Sequence, residues 1–229
     1  MKPKDFYEKM YSQHHPAPAG AASGVWRRLE LGREEAAARM LDGGDRFLDV
    51  GCGEGNLVFL MAEKYKQVYG LDISEARIER ARERAKNLDG ERAHFQAADV
   101  SEGIPFGDGY FDAVSSIAVL EHVFDPLGLL REIRRVLRTG GHLIVVMPNV
   151  AYLPRRLSVL AGRPPKTSAA PGYMDGGTLH YFTLASLASL LKQADLVIME
   201  KGAAGKLWFL RRWWVSLLSG SLVTKAVKS

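Results

Sequence analysis

Gly51, Gly53 and Gly55 stand at alternate positions just after Asp49 and just before an apolar run, Leu57 to Ala62. Glycine has no Cβ, so a ligand can lie directly against the backbone there. The helix start that follows would aim free N–H groups and the positive end of its dipole at the same spot. Asp72 falls 21 residues after Gly51, and Asp99 lies further along the chain. Carboxylates so placed suit hydrogen bonds to paired ribose hydroxyls and to a base amino group. Ile73 and Val100, beside them, offer apolar walls to an aromatic ring. The chemistry open to these residues is the binding of a charged, nucleotide-like cofactor. The spacing is G-x-G-x-G, not the G-x-G-x-x-G of the dinucleotide turn, and a tight strand–helix turn without a ligand would carry the same glycines.

The elements that must position these residues alternate regularly. An apolar strand ends at Asp49-Val50, and strands at 67–72, 93–97, 111–116 and 142–147 follow in turn. Between them, a helix after Ser74 carries Ile78, Ala81, Ala85 and Leu88 on one face, with Ser74 as its expected cap. A second helix starts at Asp125-Pro126, buries Leu127, Leu130, Ile133 and Leu137, and is expected to stop at Gly140-Gly141. Apolar strands alternating with helices predict an α/β, doubly wound sheet with helices on both faces. Ligands of such sheets sit beyond the carboxyl ends of the strands, where the glycine turn, Asp72, Asp99 and Ser116 all fall. A helix is expected over 25–41, stopped by Gly43-Gly44.

Size and composition fit one domain. The chain has 229 residues, 25% of them charged and 47% hydrophobic, as in ordinary soluble proteins. One cysteine excludes an internal disulfide framework. The N-terminus shows no signal core and no stretch is long and apolar enough to span a bilayer, so a cytoplasmic location is the expectation. The net charge is +5, yet residues 201–229 hold six Lys/Arg and no acid, leaving 25 basic and 26 acidic residues in 1–200. That distribution speaks against a nucleic-acid partner.

The ordered blocks Leu48-Asp49-Val50-Gly51-Cys52-Gly53-Glu54-Gly55, Gly70-Leu71-Asp72-Ile73-Ser74, Ala97-Ala98-Asp99-Val100, Phe111-Asp112-Ala113-Val114, Val119-Leu120-Glu121-His122-Val123 and Arg135 to Gly141 resemble the class I S-adenosylmethionine-dependent methyltransferases. The resemblance covers roughly residues 45–148. It implies a Rossmann-like seven-stranded sheet, mostly parallel, with an antiparallel last strand; 196–199 and 221–227 would be the last two strands. It implies S-adenosyl-L-methionine as cofactor and S-adenosyl-L-homocysteine as product. Gly51 and Gly53 would hold the methionine portion, with Asp49, Cys52 and Asn56 in the same cradle. Asp72 and Ile73 would meet the ribose, Ala98, Asp99 and Val100 the adenine, and Ile117 and Ala118 the floor near the transferred methyl. The chain then divides into an arm and helix (1–44), the cofactor-binding core (45–148), an acceptor region (149–195) and C-terminal strands (196–229).

In several O-methyltransferases of this fold a Glu-x-x-Glu-His segment binds a divalent metal. Here Ala118 replaces the first Glu, so no metal is assigned. Three roles stay open for this region: His122, with His180, as base or acceptor contact; a Glu121/His122/His180 metal site; or a fold-level role in the loop beneath the cofactor. Tyr11, with Tyr7, His14 and His15, belongs to an N-terminal arm that can close as a lid or lie inert. Residues 150–162 are expected to be helical, and Arg155, Arg156, Arg163 and Lys166 are either contacts for an anionic acceptor or solvated surface. The segment 206–218 combines three tryptophans with basic residues. It can be a helix on the sheet, a peripheral membrane contact or a dimer contact. The implied activity is methyl transfer to a small-molecule or lipid- or sugar-linked acceptor, O-methylation before N- or C-methylation. The alternatives are RNA methylation and a catalytically silent cofactor-binding scaffold.

Overall fold

The computed structural model describes residues 30–86, 92–167, 175–206 and 212–229. The N-terminal arm with Tyr7, Tyr11, His14 and His15, the first part of the helix expected over 25–41, Leu88, and residues 207–211 of the Trp-rich segment lie outside the described residues.

The strands that form the main sheet are β2 (Gly44–Val50), β3 (Tyr65–Asp72), β4 (Ala93–Ala97), β5 (Phe111–Ile117), β6 (Leu137–Pro148), β7 (Leu196–Ala203) and β9 (Ser221–Lys228). Their spatial order is β4-β3-β2-β5-β6-β9-β7. β2, β3, β4, β5 and β6 pair in parallel, and β9 runs antiparallel to both β6 and β7. The final strand is antiparallel, as the family resemblance implied, and it slots between β6 and β7. β1 (Glu30–Leu31) and β8 (Gly205–Lys206) form a small separate antiparallel pair.

Both faces of the sheet are covered, which is why its central strands read as nearly unbroken apolar runs. Along β2 the side chains divide by parity. Leu48 and Val50 join a core with Val114, Leu143 and Val145, and that face is covered by α4 (Pro126–Val136) and α6 (Leu184–Gln193). Phe47 points the other way, to a core with Val68, Ile144 and Val223. Helices α1 (Arg33–Arg39), α2 (Asn56–Met61) and α3 (Glu75–Ala85) cover that side. The chain moves outward from β2 to β3 and β4, then returns to lay β5 on the other side of β2. The order reverses between β2 and β5, and the loops leaving those two strands open a crevice at the carboxyl edge.

Three local expectations are corrected. The helix expected over 25–41 is confined, in its described part, to Arg33–Arg39, because Glu30 and Leu31 pair as a strand with Lys206 and Gly205. The helix expected to run to Gly140-Gly141 ends at Val136. Leu137 already pairs with Phe111, and the strand register slips before Ala113 meets His142. Gly140, at φ 74°, sits inside that irregularity. Ser74 occupies the N-cap position of α3, but its buried hydroxyl makes no cap bond and has no partner among the described residues. The Asp125 cap is as expected: its Oδ1 accepts from Gly128 N at 2.9 Å, with Pro126 as the first helical residue.

Beyond β6 the acceptor region is anchored by one fully buried amide. Asn149 Nδ2 donates to Ser216 O and Ser219 O, and its Oδ1 accepts from Ala151 N. This fixes the start of α5 (Leu153–Leu160) against α7 (Val215–Leu218). Arg155, expected at the surface or on an anion, is half-buried instead. Its guanidinium donates to the carbonyls of Asn149 (2.6 Å), Gly220 (2.9 Å) and Lys166 (2.9 Å). Asn149→Ala would leave one buried and one part-buried carbonyl and a part-buried N–H without these partners. It is expected to lower unfolding free energy by about 3 kcal/mol in urea denaturation, and a loss below about 1 kcal/mol would show that Asn149 does not anchor this region.

Candidate functional site

The crevice at the switch point is built around the end of β3. Gly51 N and Cys52 N both donate to Leu71 O, at 2.7 and 2.8 Å, which curls the glycine turn back over β3. Gly53 N then donates to Asp72 Oδ2 at 2.8 Å, and Ser74 N to Asp72 Oδ1 at 3.0 Å. The buried Asp72 carboxylate is thereby fixed in orientation by two backbone donors. Arg77, in the first turn of α3, lies 3.6 Å from Asp72 Oδ2 and across Gly53, where its guanidinium occupies the place a Cβ would take. Gly51 has φ 76°, and a Cβ there would collide with Val119 Cγ2. Both the turn and its tight packing against the loop after β5 therefore require glycine at 51.

The walls of the cleft come from three strand ends. Asp72 and Ile73 follow β3; Ala98, Asp99, Val100 and Ser101 follow β4; Ala118, Val119, His122, Val123 and Phe124 follow β5. Gly51 and Arg77 complete the lining. Asp99 Oδ1 accepts from the backbone N–H and the hydroxyl of Ser101, at 3.0 and 2.6 Å.

Seven of the twelve residues expected around a cofactor thus meet in one cleft: Gly51, Asp72, Ile73, Ala98, Asp99, Val100 and Ala118. Gly53 contributes through its N–H to Asp72. The other four stand behind the lining or away from it. Asp49 is buried beneath the turn, where its Oδ1 accepts from Ser115 Oγ at 2.6 Å. Cys52 and Ile117 pack in the core beneath the sheet. Asn56 is exposed, and its Oδ1 accepts from Arg84 at 2.9 Å, so its side chain serves the surface of α2 and α3 and not the cleft. Sequence reasoning missed Arg77, Ser101, Val119, Val123 and Phe124. Only Arg77 carried a signal: three residues after an N-cap that follows Asp72, a side chain on the first turn must lie near that strand end.

The Glu121-His122 pair splits. His122 lines the cleft, and its Nδ1 lies 3.1 Å from Gly177 O. A carbonyl only accepts, so Nδ1 carries the proton and Nε2 is the basic nitrogen of the neutral ring. Glu121 is buried behind it, with Oε2 lacking a partner among the described residues. Burial raises the Glu121 carboxyl above its ordinary value, against the opposing pull of a backbone hydrogen bond, His122 and Arg33. His180 does not line the cleft; its Nε2 donates to Val123 O at 3.0 Å, and its N–H, like that of Leu179, donates to Glu121 O. Among the described residues no cluster of three metal-ligating side chains forms.

The features of the cleft fit an adenosine-bearing sulfonium ligand: a bare backbone turn, an oriented carboxylate for ribose, and an acid with apolar neighbours for a base. Comparison with known proteins agrees. Residues 41–172, more than half of the chain, match the family model described as a methyltransferase domain. The chain is 38% identical over 145 residues to 27-O-demethylrifamycin SV methyltransferase of Amycolatopsis mediterranei, covering 57% of this chain and 53% of that protein. It is 30% identical over 185 residues to a ubiquinone/menaquinone biosynthesis C-methyltransferase of Desulfotalea psychrophila, covering 75% and 72%. The chain spans about half or less of the length of the first three relatives it matches. Among solved structures, geranyl diphosphate C-methyltransferase from Streptomyces coelicolor, in complex with Mg2+, geranyl diphosphate and S-adenosyl-L-homocysteine, shares the fold. Its TM-score is 0.70 at 15% identity, over 100% of this chain and 98% of that one. This chain belongs to the S-adenosylmethionine-dependent methyltransferase-domain family.

One electrostatic feature of the turn is testable. Burial pushes the Asp49 carboxyl up to about 7, Ser115 opposes the shift, and the carboxylates of Glu34 and Asp72 add to it. In the unfolded chain the same group ionises near 3.8. Between these values the folded protein holds a proton that the unfolded chain has lost, so this group's contribution to stability falls as pH rises from about 4 to 7. Asp49→Asn removes that dependence. Its melting temperature is expected to match the parent's near pH 4 and to exceed it above pH 7; a difference independent of pH would contradict the assignment.

Proposed function

We propose that this chain transfers the methyl group of S-adenosyl-L-methionine to a small-molecule or lipid- or sugar-linked acceptor, and that the atom methylated is oxygen. The observation that carries this reading is the Asp72 carboxylate, held by two backbone N–H groups at the mouth of a glycine turn, within a chain of the methyltransferase-domain family. Asp72 retains acceptor capacity for the two ribose hydroxyls. Gly51 receives the methionine portion of the ligand against its backbone, Gly53 holds Asp72 through its N–H, and Asp49 lies beneath the turn. Asp99, with Val100 and Ile73 as apolar walls, frames the adenine. When bound, the cofactor supplies a methyl group on a sulfonium sulfur, already activated toward attack.

The chain's task is then alignment and, for a hydroxyl acceptor, removal of one proton. With the methyl group supplied by the cofactor held at Gly51, Asp72 and Asp99, the acceptor's hydroxyl proton would pass to a base of this chain. His122 Nε2 is the base we assign, because Gly177 O fixes the proton on Nδ1 and orients the ring. Glu121 lies buried behind it, where its charge interacts with the ring, and in its ionised form it favours the imidazolium that forms. His180 holds the loop that carries His122 through its bond to Val123 O and contributes no proton transfer in this scheme. Of the two relatives named above, that of Desulfotalea psychrophila carries a name for C-methylation and that of Amycolatopsis mediterranei a name for O-methylation, so the His122 role also separates those outcomes.

Asp72→Asn is expected to weaken binding of S-adenosyl-L-homocysteine about 10- to 100-fold in calorimetric titration, the effect of losing a charged hydrogen-bond acceptor. His122→Ala is expected to leave that affinity within about threefold while lowering turnover of hydroxyl acceptors about 10²–10⁴-fold. Unchanged affinity in Asp72→Asn would overturn the cofactor assignment, and undiminished turnover in His122→Ala would overturn the base.

A further inference from the structure

The apolar residues left at the surface are not scattered. Among the described residues thirteen large hydrophobic side chains are exposed, and ten of them fall in 118–125, 149–183 and 212–220. The described parts of these segments leave β5 and β6 or lead into β9, so they lie at one half of the carboxyl edge, and Phe124 among them lines the cleft. Hydrogen bonds join them into one surface. Asn149 ties the start of α5 to Ser216 and Ser219, Arg155 ties α5 to Gly220, Val150 N donates to Phe182 O, and Leu179 N donates to Glu121 O. Helix α5 buries none of its residues completely, and Leu157 and Leu160 face outward. Phe124, Leu160 and Trp213 are 79%, 84% and 89% exposed, and Trp214 is 60% exposed.

Charge on this surface is mostly positive. Segments 118–125, 149–167, 175–183 and 212–220 contain five Lys/Arg and three acids, of which Glu121 is buried and Asp125 is exposed at the N-cap of α4. Asp175 is buried, where it accepts from Thr167 and Tyr181. Arg156, Arg163 and Lys166 are exposed around α5. Exposed leucines and tryptophans ringed by cations are the composition of a surface that settles into the headgroup boundary of an anionic bilayer: the rings and aliphatic chains enter the interface, and the cations meet lipid phosphates. No helix of the described residues is long and apolar enough to cross a membrane, so the contact is peripheral.

We propose that this face, formed by α5, the loop after β5 and the 212–218 segment, docks on the surface of an anionic lipid membrane with the mouth of the cleft turned toward the lipid. The docking stands independently of the reaction; that a lipid-dissolved acceptor enters the cleft from the membrane rests on the methyl-transfer reading above.

The test is co-sedimentation of the full chain with vesicles of phosphatidylglycerol and phosphatidylcholine, against pure phosphatidylcholine, at low and high salt. Binding is expected to the anionic vesicles at low salt, to weaken with salt, and to be nearly absent on neutral vesicles. Leu157→Ser/Leu160→Ser and Trp213→Ala/Trp214→Ala are each expected to lose most of the binding while keeping the parent's melting temperature and its affinity for S-adenosyl-L-homocysteine. That retained affinity separates failure of docking from failure of the cofactor assignment. The proposal is overturned if the parent does not sediment with anionic vesicles, or if both double variants sediment like the parent. It is equally overturned if sedimentation velocity shows a dimer that these variants convert to monomer, since a second copy would then cover the face.

Discussion

The interaction on which the site depends is the grip of one carboxylate on two backbone amides. Asp72 ends β3, and by accepting from Gly53 N and Ser74 N it ties the turn after β2 to the start of α3. Without it the turn would have buried N–H groups lacking partners, and the cleft would have no fixed wall. The same side chain then carries two duties. It satisfies the local backbone, which any acceptor could do, and it presents negative charge beside Arg77 at the mouth of the cleft, which only an ionised acid does. A group held this tightly by the scaffold is already oriented before a ligand arrives, so little ordering remains to oppose binding.

Everything else at the carboxyl edge follows from the reversal of strand order between β2 and β5. Because β5 returns to the inner side of β2, the loops after the two strands diverge and leave a crevice instead of a packed seam. The glycine turn fills the floor on one side, and Val119 of the loop after β5 presses against Gly51 from the other. His122 reaches the cleft from that same loop, and a remote segment fixes its ring: Gly177 O holds Nδ1, while Leu179 and His180 donate to the carbonyl of Glu121. The acceptor region is thus bonded to the loop it serves, and a change in one would be felt by the other.

The parts of this structure legible in the sequence are those imposed by backbone requirements. Alternate glycines after an apolar strand, acids at strand ends, and Asp-Pro at a helix start each answer a local geometric demand, so their positions could be read without coordinates. What could not be read depended on neighbours distant in the chain. Arg155 reads as a surface cation, yet its carbonyl partners at Asn149 and Gly220 are assembled by β6 and β9 meeting. Glu30 and Leu31 fit a helical pattern and became a strand because Gly205–Lys206 lies alongside. The exposed face of α5 shows apolar spacing like that of a buried helix, so nothing in its periodicity distinguished a core face from a docking face.

The central claim is that the cleft takes S-adenosyl-L-methionine and its product. Thermal unfolding of the full chain with S-adenosyl-L-homocysteine, beside NAD as control, tests it most directly. Ligand at about 100 times its dissociation constant should add about 2.7 kcal/mol, a rise of roughly 5–10 °C for a domain of this size, with no rise from NAD. Equal shifts with both ligands, or none with S-adenosyl-L-homocysteine in folded, ligand-free protein, would contradict it.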